Sequence, residues 1–134
     1  MANTAFRTVT NALYNKVVFP GHTFSVGDVL TFNTGTFVGA DNTSEANSQV
    51  VGMVSATEAD AFYITQEGYV SNISAPFPLV PGSQYYLSAT PGLMTATEPT
   101  TPGEFLAPLF VAYTTSAGYF SATSGVQITN PSVS

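Results

Sequence analysis

Short apolar runs separated by turn residues extend through nearly the whole chain, and this pattern constrains the fold more than any other feature. The clearest example is Val80-Pro81-Gly82-Ser83-Gln84-Tyr85-Tyr86-Leu87-Ser88, followed by Pro91-Gly92 and then Leu93-Met94-Thr95. A strand entered through a Pro-Gly turn, a second such turn and a returning strand make a hairpin. The sequence predicts an all-β fold, a small β-barrel or β-sandwich of short antiparallel strands with an extended N-terminal arm.

Two further segments carry local predictions. Phe62-Tyr63-Ile64-Thr65 and Tyr69-Val70-Ser71-Asn72-Ile73 flank Gln66-Glu67-Gly68, which predicts a second short hairpin. The stretch Ser55 to Ala61 has the only helix-forming composition in the chain, and Ser55 with Glu58 fits a capping-box spacing. Because so few residues cannot hold more than one turn, we expect at most a turn of helix there.

Residues 1–20 are an opening arm or first strand, and residues 21–134 are expected to form a single β domain. Val17-Val18-Phe19 before Pro20-Gly21 indicates a strand that ends in a turn. The segment Ala5 to Tyr14 is compatible with a strand of the domain or with an arm that docks on a partner. Both cations of the chain, Arg7 and Lys16, fall in this arm, which favours docking on an acidic surface.

The domain shows a weak internal duplication of two related halves, at about residues 24–65 and 79–122. A constant offset relates three pairs of positions: Gly35 and Gly92, Val54 and Val111, Phe62 and Tyr119. Each half reads as a hairpin, a polar loop, a buried strand, a turn and a strand. Two such halves would make one small barrel or sandwich.

The charge of the chain excludes several classes of partner. Only 7% of residues are charged, the net charge is −6, and residues 17–134 contain no Lys or Arg. Because phosphate neutralisation needs clustered cations, we expect no nucleic-acid partner and no anionic membrane partner.

The absence of cysteine removes disulfides and thiolate chemistry. No window reaches the length of an apolar membrane span and no basic-then-apolar leader opens the chain, so we expect a soluble protein made in a cytoplasm.

The residues that could carry chemistry are few. The only histidine, His22, follows Pro20-Gly21 and is interpreted as a turn residue. The carboxylates Glu58, Asp60 and Glu67 lie in turns between β segments, where solvated acids are usual, so no catalytic pair is assigned. Asp41-Asn42-Thr43-Ser44-Glu45 is rich in oxygen, the ligand that calcium prefers, but lacks the spacing of a calcium loop. We expect no enzyme, no metal and no cofactor.

Aromatic residues suggest where partners bind. The pairs Phe62-Tyr63, Tyr85-Tyr86 and Tyr119-Phe120 place one ring of each pair away from the core, because successive strand residues point to opposite faces. Outward aromatics on a surface of low charge are typical of protein interfaces. Together with the arm, they give the following predicted partner-contact residues: Phe6, Arg7, Tyr14, Lys16, Tyr63 and Tyr85.

One series of turns and strands resembles a known module. It comprises Val51-Gly52-Met53-Val54, Gly68-Tyr69-Val70, Leu79-Val80-Pro81-Gly82, Tyr85-Tyr86-Leu87-Ser88, Gly92-Leu93-Met94-Thr95, Pro99 and Leu106 to Ala112. This series is similar to a small β module of tailed-bacteriophage virion proteins, found in capsid decoration (cement) proteins and in tail-fibre or collar proteins. The chain departs from the module at Leu109-Phe110, where Val-Gly is common.

The resemblance implies a virion structural protein. A short chain with an opening arm favours a decoration protein on the outer surface of the capsid, where it would bind the major capsid protein as a homotrimer and stabilise contacts between shell subunits. A tail, collar or fibre attachment component is the alternative. A carbohydrate-binding module is a further one, and it would need exposed aromatic residues aligned on one face.

Overall fold

The computed structural model describes residues 14–73 and 78–129, and these ranges are built almost entirely of strands. The single helical segment within them is one 3-10 turn at Ala46–Ser48. The strands are β1 Tyr14–Val18, β2 Val29–Asn33, β3 Thr36–Gly39, β4 Val50–Glu58, β5 Ala61–Thr65, β6 Glu67–Val70, β7 Gln84–Leu87, β8 Met94–Thr95, β9 Phe105–Leu106, β10 Pro108–Ala112, β11 Gly118–Ser121 and β12 Val126–Gln127.

The strands form two five-stranded sheets and one two-stranded sheet. Sheet 1 has the order β1-β5-β4-β2-β3, sheet 2 has the order β6-β11-β10-β7-β8, and β12 pairs with β9. All of these pairings are antiparallel. Within the described ranges no sheet closes into a barrel. The all-β prediction is confirmed, and the architecture is that of a small β-sandwich.

The central core lies between the two sheets. Sheet 1 contributes Val29 and Met53, which pair directly across β2 and β4. Sheet 2 contributes Tyr85, Phe110 and Phe120, all of them buried. Because directly paired residues point to the same face, these side chains define the inner face of each sheet.

The opposite face of sheet 1 carries a second apolar cluster. Leu30 follows Val29 in β2 and therefore points away from the central core, into a group that also holds Val54, Phe62 and Ile64. Aromatic rings from the β1–β2 connection and from β3 close over this group. These rings surround the Phe62 ring, and we call the five together the outer aromatic cluster: Phe19, His22, Phe24, Phe37 and Phe62.

The two five-stranded sheets share one topology. In each, the first strand is an edge strand beside the last strand of its half, and the remaining order is the same. A β-bulge interrupts the β2–β4 pairing at Val51, and another interrupts the corresponding β7–β10 pairing at Leu109. The shared order covers residues 14–65 and 67–121, each of which begins earlier than the predicted halves at about residues 24–65 and 79–122. Their origin by duplication stays a prediction.

The bulges also fix how the halves are stacked. They equate Leu30 with Tyr85, an offset of 55, and Gly52 with Phe110, an offset of 58, whereas the three pairs seen in the sequence share an offset of 57. Leu30 points into the outer cluster of sheet 1, whereas Tyr85 points into the central core. The equivalent faces of the two sheets therefore point in the same direction, so the outer face of one sheet corresponds to the inner face of the other. We call this arrangement head to tail.

Two local predictions were wrong. β5 and β6 do not form a hairpin, because β5 pairs with β1 and β4 while β6 pairs with β11 in the other sheet. A single residue, Gln66, joins them, and Gly68 with φ of 144° follows the crossing. Ser55 to Glu58 continues strand β4, and only Ala59 and Asp60 turn. The predicted hairpin of β7 and β8 is confirmed.

Candidate contact surfaces

The predicted N-terminal contact residues divide at the start of β1. Phe6 and Arg7 lie outside the described residues. Tyr14 opens β1, and its backbone pairs with Thr65 of β5. β1 lies at the edge of sheet 1, so one side of its backbone has no strand partner among residues 14–73 and 78–129. Residues 14–18 are thus a strand of the sandwich, as the run Val17-Val18-Phe19 predicted. Residues 5–13, for which a strand and a docking arm were both open, lie outside the described residues.

Lys16 and Tyr63, two of the predicted contact residues, lie directly opposite each other on β1 and β5. The Lys16 Nζ atom is 3.3 Å from the Glu58 Oε1 atom and 5.9 Å from the centre of the Tyr63 ring. The Tyr63 hydroxyl donates a hydrogen bond to Glu58 Oε2 at 3.2 Å. Val18, on the same face of β1, is 72% exposed. We call these four residues the edge patch.

The charge of Lys16 is compensated within the edge patch. Its hydrogen bond to Glu58, the charge of that carboxylate and the nearby Tyr63 raise the pKa of Lys16 above its ordinary value. An exposed ion pair of this kind contributes little to folding. Its consequence is that the patch presents a balanced pair of charges beside exposed apolar surface. The predicted attraction of the arm to an acidic surface therefore gains no support from Lys16, and Arg7 lies outside the described residues.

Tyr85 is not a surface residue, and its prediction as a partner contact was wrong. Its side chain is 1% exposed, and its ring packs edge-on against Phe110. Its hydroxyl accepts a hydrogen bond from the Val80 backbone N–H at 2.8 Å. The rule that one member of each aromatic pair faces outward still holds, because Tyr86 is only partly buried. The inward and outward members were exchanged.

The outer face of sheet 2 carries a row of exposed and partly exposed side chains across four strands. Tyr69 of β6 pairs with Tyr119 of β11, which pairs with Val111 of β10, which pairs with Gln84 of β7. Tyr69 and Tyr119 are 59% and 38% exposed. Tyr113, just after β10, is 55% exposed and stacks on Tyr69 with ring centres 6.1 Å apart and planes inclined by 27°.

One acidic side chain accompanies these rings. The Tyr119 hydroxyl donates a hydrogen bond of 2.7 Å to Glu67 Oε2. This bond, the desolvation of the phenol and the charge of Glu67 raise the pKa of Tyr119 above 10.0. We call Tyr69, Tyr113, Tyr119 and Glu67 the tyrosine face.

The prediction of contact residues did not include the tyrosine face, although the sequence held a signal for it. Tyr69 precedes the buried Val70, Tyr113 follows the buried Ala112, and Tyr119 precedes the buried Phe120. Each tyrosine therefore alternates with a core residue, as strand geometry requires. The sequence pattern does not show which strands lie side by side, because β6, β10 and β11 pair across long distances in the chain. The three tyrosines could therefore not be placed on one face from the sequence.

His22 has a structural role. Its Nδ1 atom accepts a hydrogen bond from the Phe24 backbone N–H at 3.2 Å, so the ring proton is on Nε2. Nε2 lies 2.8 Å from the Glu58 carbonyl oxygen and 2.9 Å from that of Ala61, and donates to both. The ring ties the β1–β2 connection to the β4–β5 turn. It belongs to a packed cluster and is more than the turn residue inferred from the sequence.

The oxygen-rich loop at Asp41 is held by its own donors. Asp41 Oδ1 accepts hydrogen bonds from the Thr43 backbone N–H at 3.0 Å and from the Asn47 side-chain amide at 3.4 Å. Asn42 is buried and links the halves, because its side-chain amide donates to the Leu87 carbonyl at 3.2 Å. In the described part of the chain, no group of three or more His, Asp or Glu residues is placed to hold a metal ion.

Comparison with known proteins gave no relative. Neither a protein-family model, nor a curated protein, nor a solved structure matches this chain. No helix within residues 14–73 and 78–129 is long and apolar enough to span a membrane. The inference of function therefore depends on the geometry of the edge patch and the tyrosine face.

Proposed function

We propose that this protein is a virion structural protein, a capsid decoration protein that binds the outer shell of a tailed bacteriophage through the edge patch. The observation that carries the proposal is the position of β1. It is an edge strand, one side of which has no strand partner in the described part of the chain, and Lys16 and Val18 are exposed on it beside Tyr63. An exposed edge strand can accept a further strand from a partner, and main-chain hydrogen bonds then supply affinity.

The composition supports the same role. A surface with few charges and many Thr, Ser and Asn side chains suits contact with other subunits, because interface cores are depleted in charged residues. The turn-and-strand phrase of residues 51–112, which resembles the module of phage decoration proteins, supports the assignment to a virion. The partner proposed is the major capsid protein.

The proposed mechanism is mechanical. Each copy would bridge neighbouring major capsid subunits and oppose the outward pressure of packaged DNA through added contact area. Assembly as a homotrimer would multiply weak contacts, because the second and third contacts of a bound trimer form at high effective concentration.

The experiment uses two matched exposed valines. Val18 in the edge patch is 72% exposed, and Val126 in β12 is 69% exposed. Purified protein is mixed with particles of a virus that lacks the gene for this protein. The particles are sedimented, and the protein bound to them is measured. We expect Val18→Asp to weaken binding by tenfold or more, roughly the effect of 1.4 kcal/mol. Val126→Asp should bind as the unchanged protein does. Equal binding by the two variants would contradict the proposal.

A further inference from the structure

We propose that the tyrosine face binds neutral oligosaccharide chains. This activity goes beyond shell binding and does not depend on it, because the tyrosine face lies on the outer side of sheet 2 and the edge patch lies on sheet 1. The two sites can therefore be tested separately.

Ring geometry carries the first step of the argument. Tyr69 and Tyr113 stack on each other, which uses one face of each ring, and their exposures of 59% and 55% leave much of the remaining ring surface open to solvent. Tyr119 lies beside Tyr69 on the adjacent strand. Sugar rings present a patch of C–H bonds on one face, and that patch packs on aromatic rings.

Hydrogen bonding supplies the second step. Sugar hydroxyls need acceptors and donors at the edge of the aromatic surface. The Glu67 carboxylate has about four acceptor positions, and the bond from Tyr119 occupies one of them. The exposed Gln84, whose side-chain Nε2 donates to the Phe110 carbonyl oxygen at 3.2 Å, adds an amide oxygen acceptor at the far end of the same row. The bond to Glu67 also fixes the Tyr119 ring, which lowers the entropy lost when a ligand binds.

The charge of the face decides the class of ligand. Glu67 is its only charged side chain, and residues 17–134 contain no Lys or Arg. An anionic ligand such as a sulfated or sialylated glycan would meet a carboxylate and no cation. A neutral polyhydroxylated chain meets no such repulsion.

The fold argues against a second copy of the chain as the occupant. By the register of the bulges, the outer face of sheet 2 is equivalent to the inner face of sheet 1, which sheet 2 covers. A second copy of the chain that packed on the tyrosine face in the same way would have to bring the outer face of its own sheet 1 against it. That surface is closed by the outer aromatic cluster. A twofold pairing of tyrosine faces would bury two Glu67 carboxylates without a cation, which is costly.

The test uses the full chain and four named probes: cellohexaose, maltohexaose, laminarihexaose and chitohexaose. Binding is followed by isothermal titration and by NMR shift changes of the tyrosine rings. We expect at least one probe to bind, with a Kd on the order of 1 mM or tighter. Tyr69→Ala and Tyr113→Ala should each weaken that binding by about tenfold or more, whereas Tyr69→Phe, which keeps the ring, should retain it.

Controls separate this site from the rest of the surface. Phe32 is 55% exposed, as Tyr113 is, but lies on sheet 1, so Phe32→Ala should bind the probe normally. Val18→Asp should also bind it, and Tyr69→Ala should still bind particles if the proposed shell role holds. The inference is overturned if none of the four probes binds, if the Tyr69 and Tyr113 variants bind as the unchanged protein does, or if Tyr69→Ala abolishes a self-association of the chain.

Discussion

Truncation of Phe62 tests whether the outer face of sheet 1 is a closed, packed surface. The Phe62 side chain is fully buried, and four rings surround it: Phe24 at 5.2 Å, His22 at 5.5 Å, Phe37 at 5.6 Å and Phe19 at 6.0 Å between centres. Phe62→Ala removes a ring from this group and leaves a cavity, which costs about 3–5 kcal/mol of unfolding free energy. For a chain of this size that is a fall in Tm of roughly 10–20 °C.

The matched control is Phe32, which lies on the same sheet and contacts Phe37 with ring centres 5.0 Å apart, but is 55% exposed. Because about half of its surface is already in water, Phe32→Ala should cost about 1–2 kcal/mol. Urea unfolding followed by circular dichroism gives both values. If Phe62→Ala were no more destabilising than Phe32→Ala, the cluster would be loosely packed and the argument that it closes sheet 1 would fail.

Three further changes test other parts of the account. A Cβ added at Gly39 would lie 2.7 Å from the Gly92 backbone nitrogen, so Gly39→Ala should cost about 1–3 kcal/mol in urea unfolding, and an unchanged midpoint would show that the sheets do not approach closely there. Burial raises the pKa of Asp28 in the folded state above 3.8, its ordinary value in the unfolded state. Between the unfolded-state pKa and the folded-state pKa, the folded protein therefore binds more protons than the unfolded chain. The stability that the protonated Asp28 carboxyl contributes is present below the unfolded-state pKa and is lost as pH rises through the folded-state pKa. Asp28→Asn should therefore gain stability relative to the unchanged protein between about pH 3 and about pH 7, and a constant difference would contradict the burial of this carboxyl. Glu67→Gln should bring the pKa of Tyr119 back toward 10.0 in an ultraviolet titration of the tyrosines, and an unaltered titration would mean that the two side chains are not hydrogen-bonded.

The fold class could be predicted from the sequence because it depends on local pattern. Alternation of apolar and polar residues, interrupted by Pro-Gly and Asn-Thr-Gly turns, indicates strands wherever it occurs, and β7 with β8 formed as that pattern required. The internal duplication inferred from repeated turn spacing stays a prediction, although the two five-stranded sheets do share one strand order. The paired positions differ from those inferred in the sequence, with offsets of 55 between β2 and β7 and 58 between β4 and β10 instead of a constant 57, because the connections between these strands differ in length.

The errors share a cause in long-range pairing. The segment Phe62 to Ile73 has the local signs of a hairpin, yet its two strands pair in different sheets: β5 pairs with β1 and β4, and β6 pairs with β11. Tyr85 and Tyr86 are chemically alike, so only the direction of β7 relative to the core decides which one is buried. The tyrosine face depends on the neighbourhood of β6, β11 and β10, segments that are far apart in the chain.

Counting the copies of this protein per virus particle tests the proposed function most directly. Particles of the virus that encodes the chain are purified, and the protein is quantified by mass spectrometry against the major shell protein. A decoration role predicts about one copy per shell subunit, or one trimer at each three-fold position, as repeated contact with the whole shell requires. A few copies per particle would contradict shell binding and favour a tail, collar or fibre component, and absence from particles would contradict a virion role altogether.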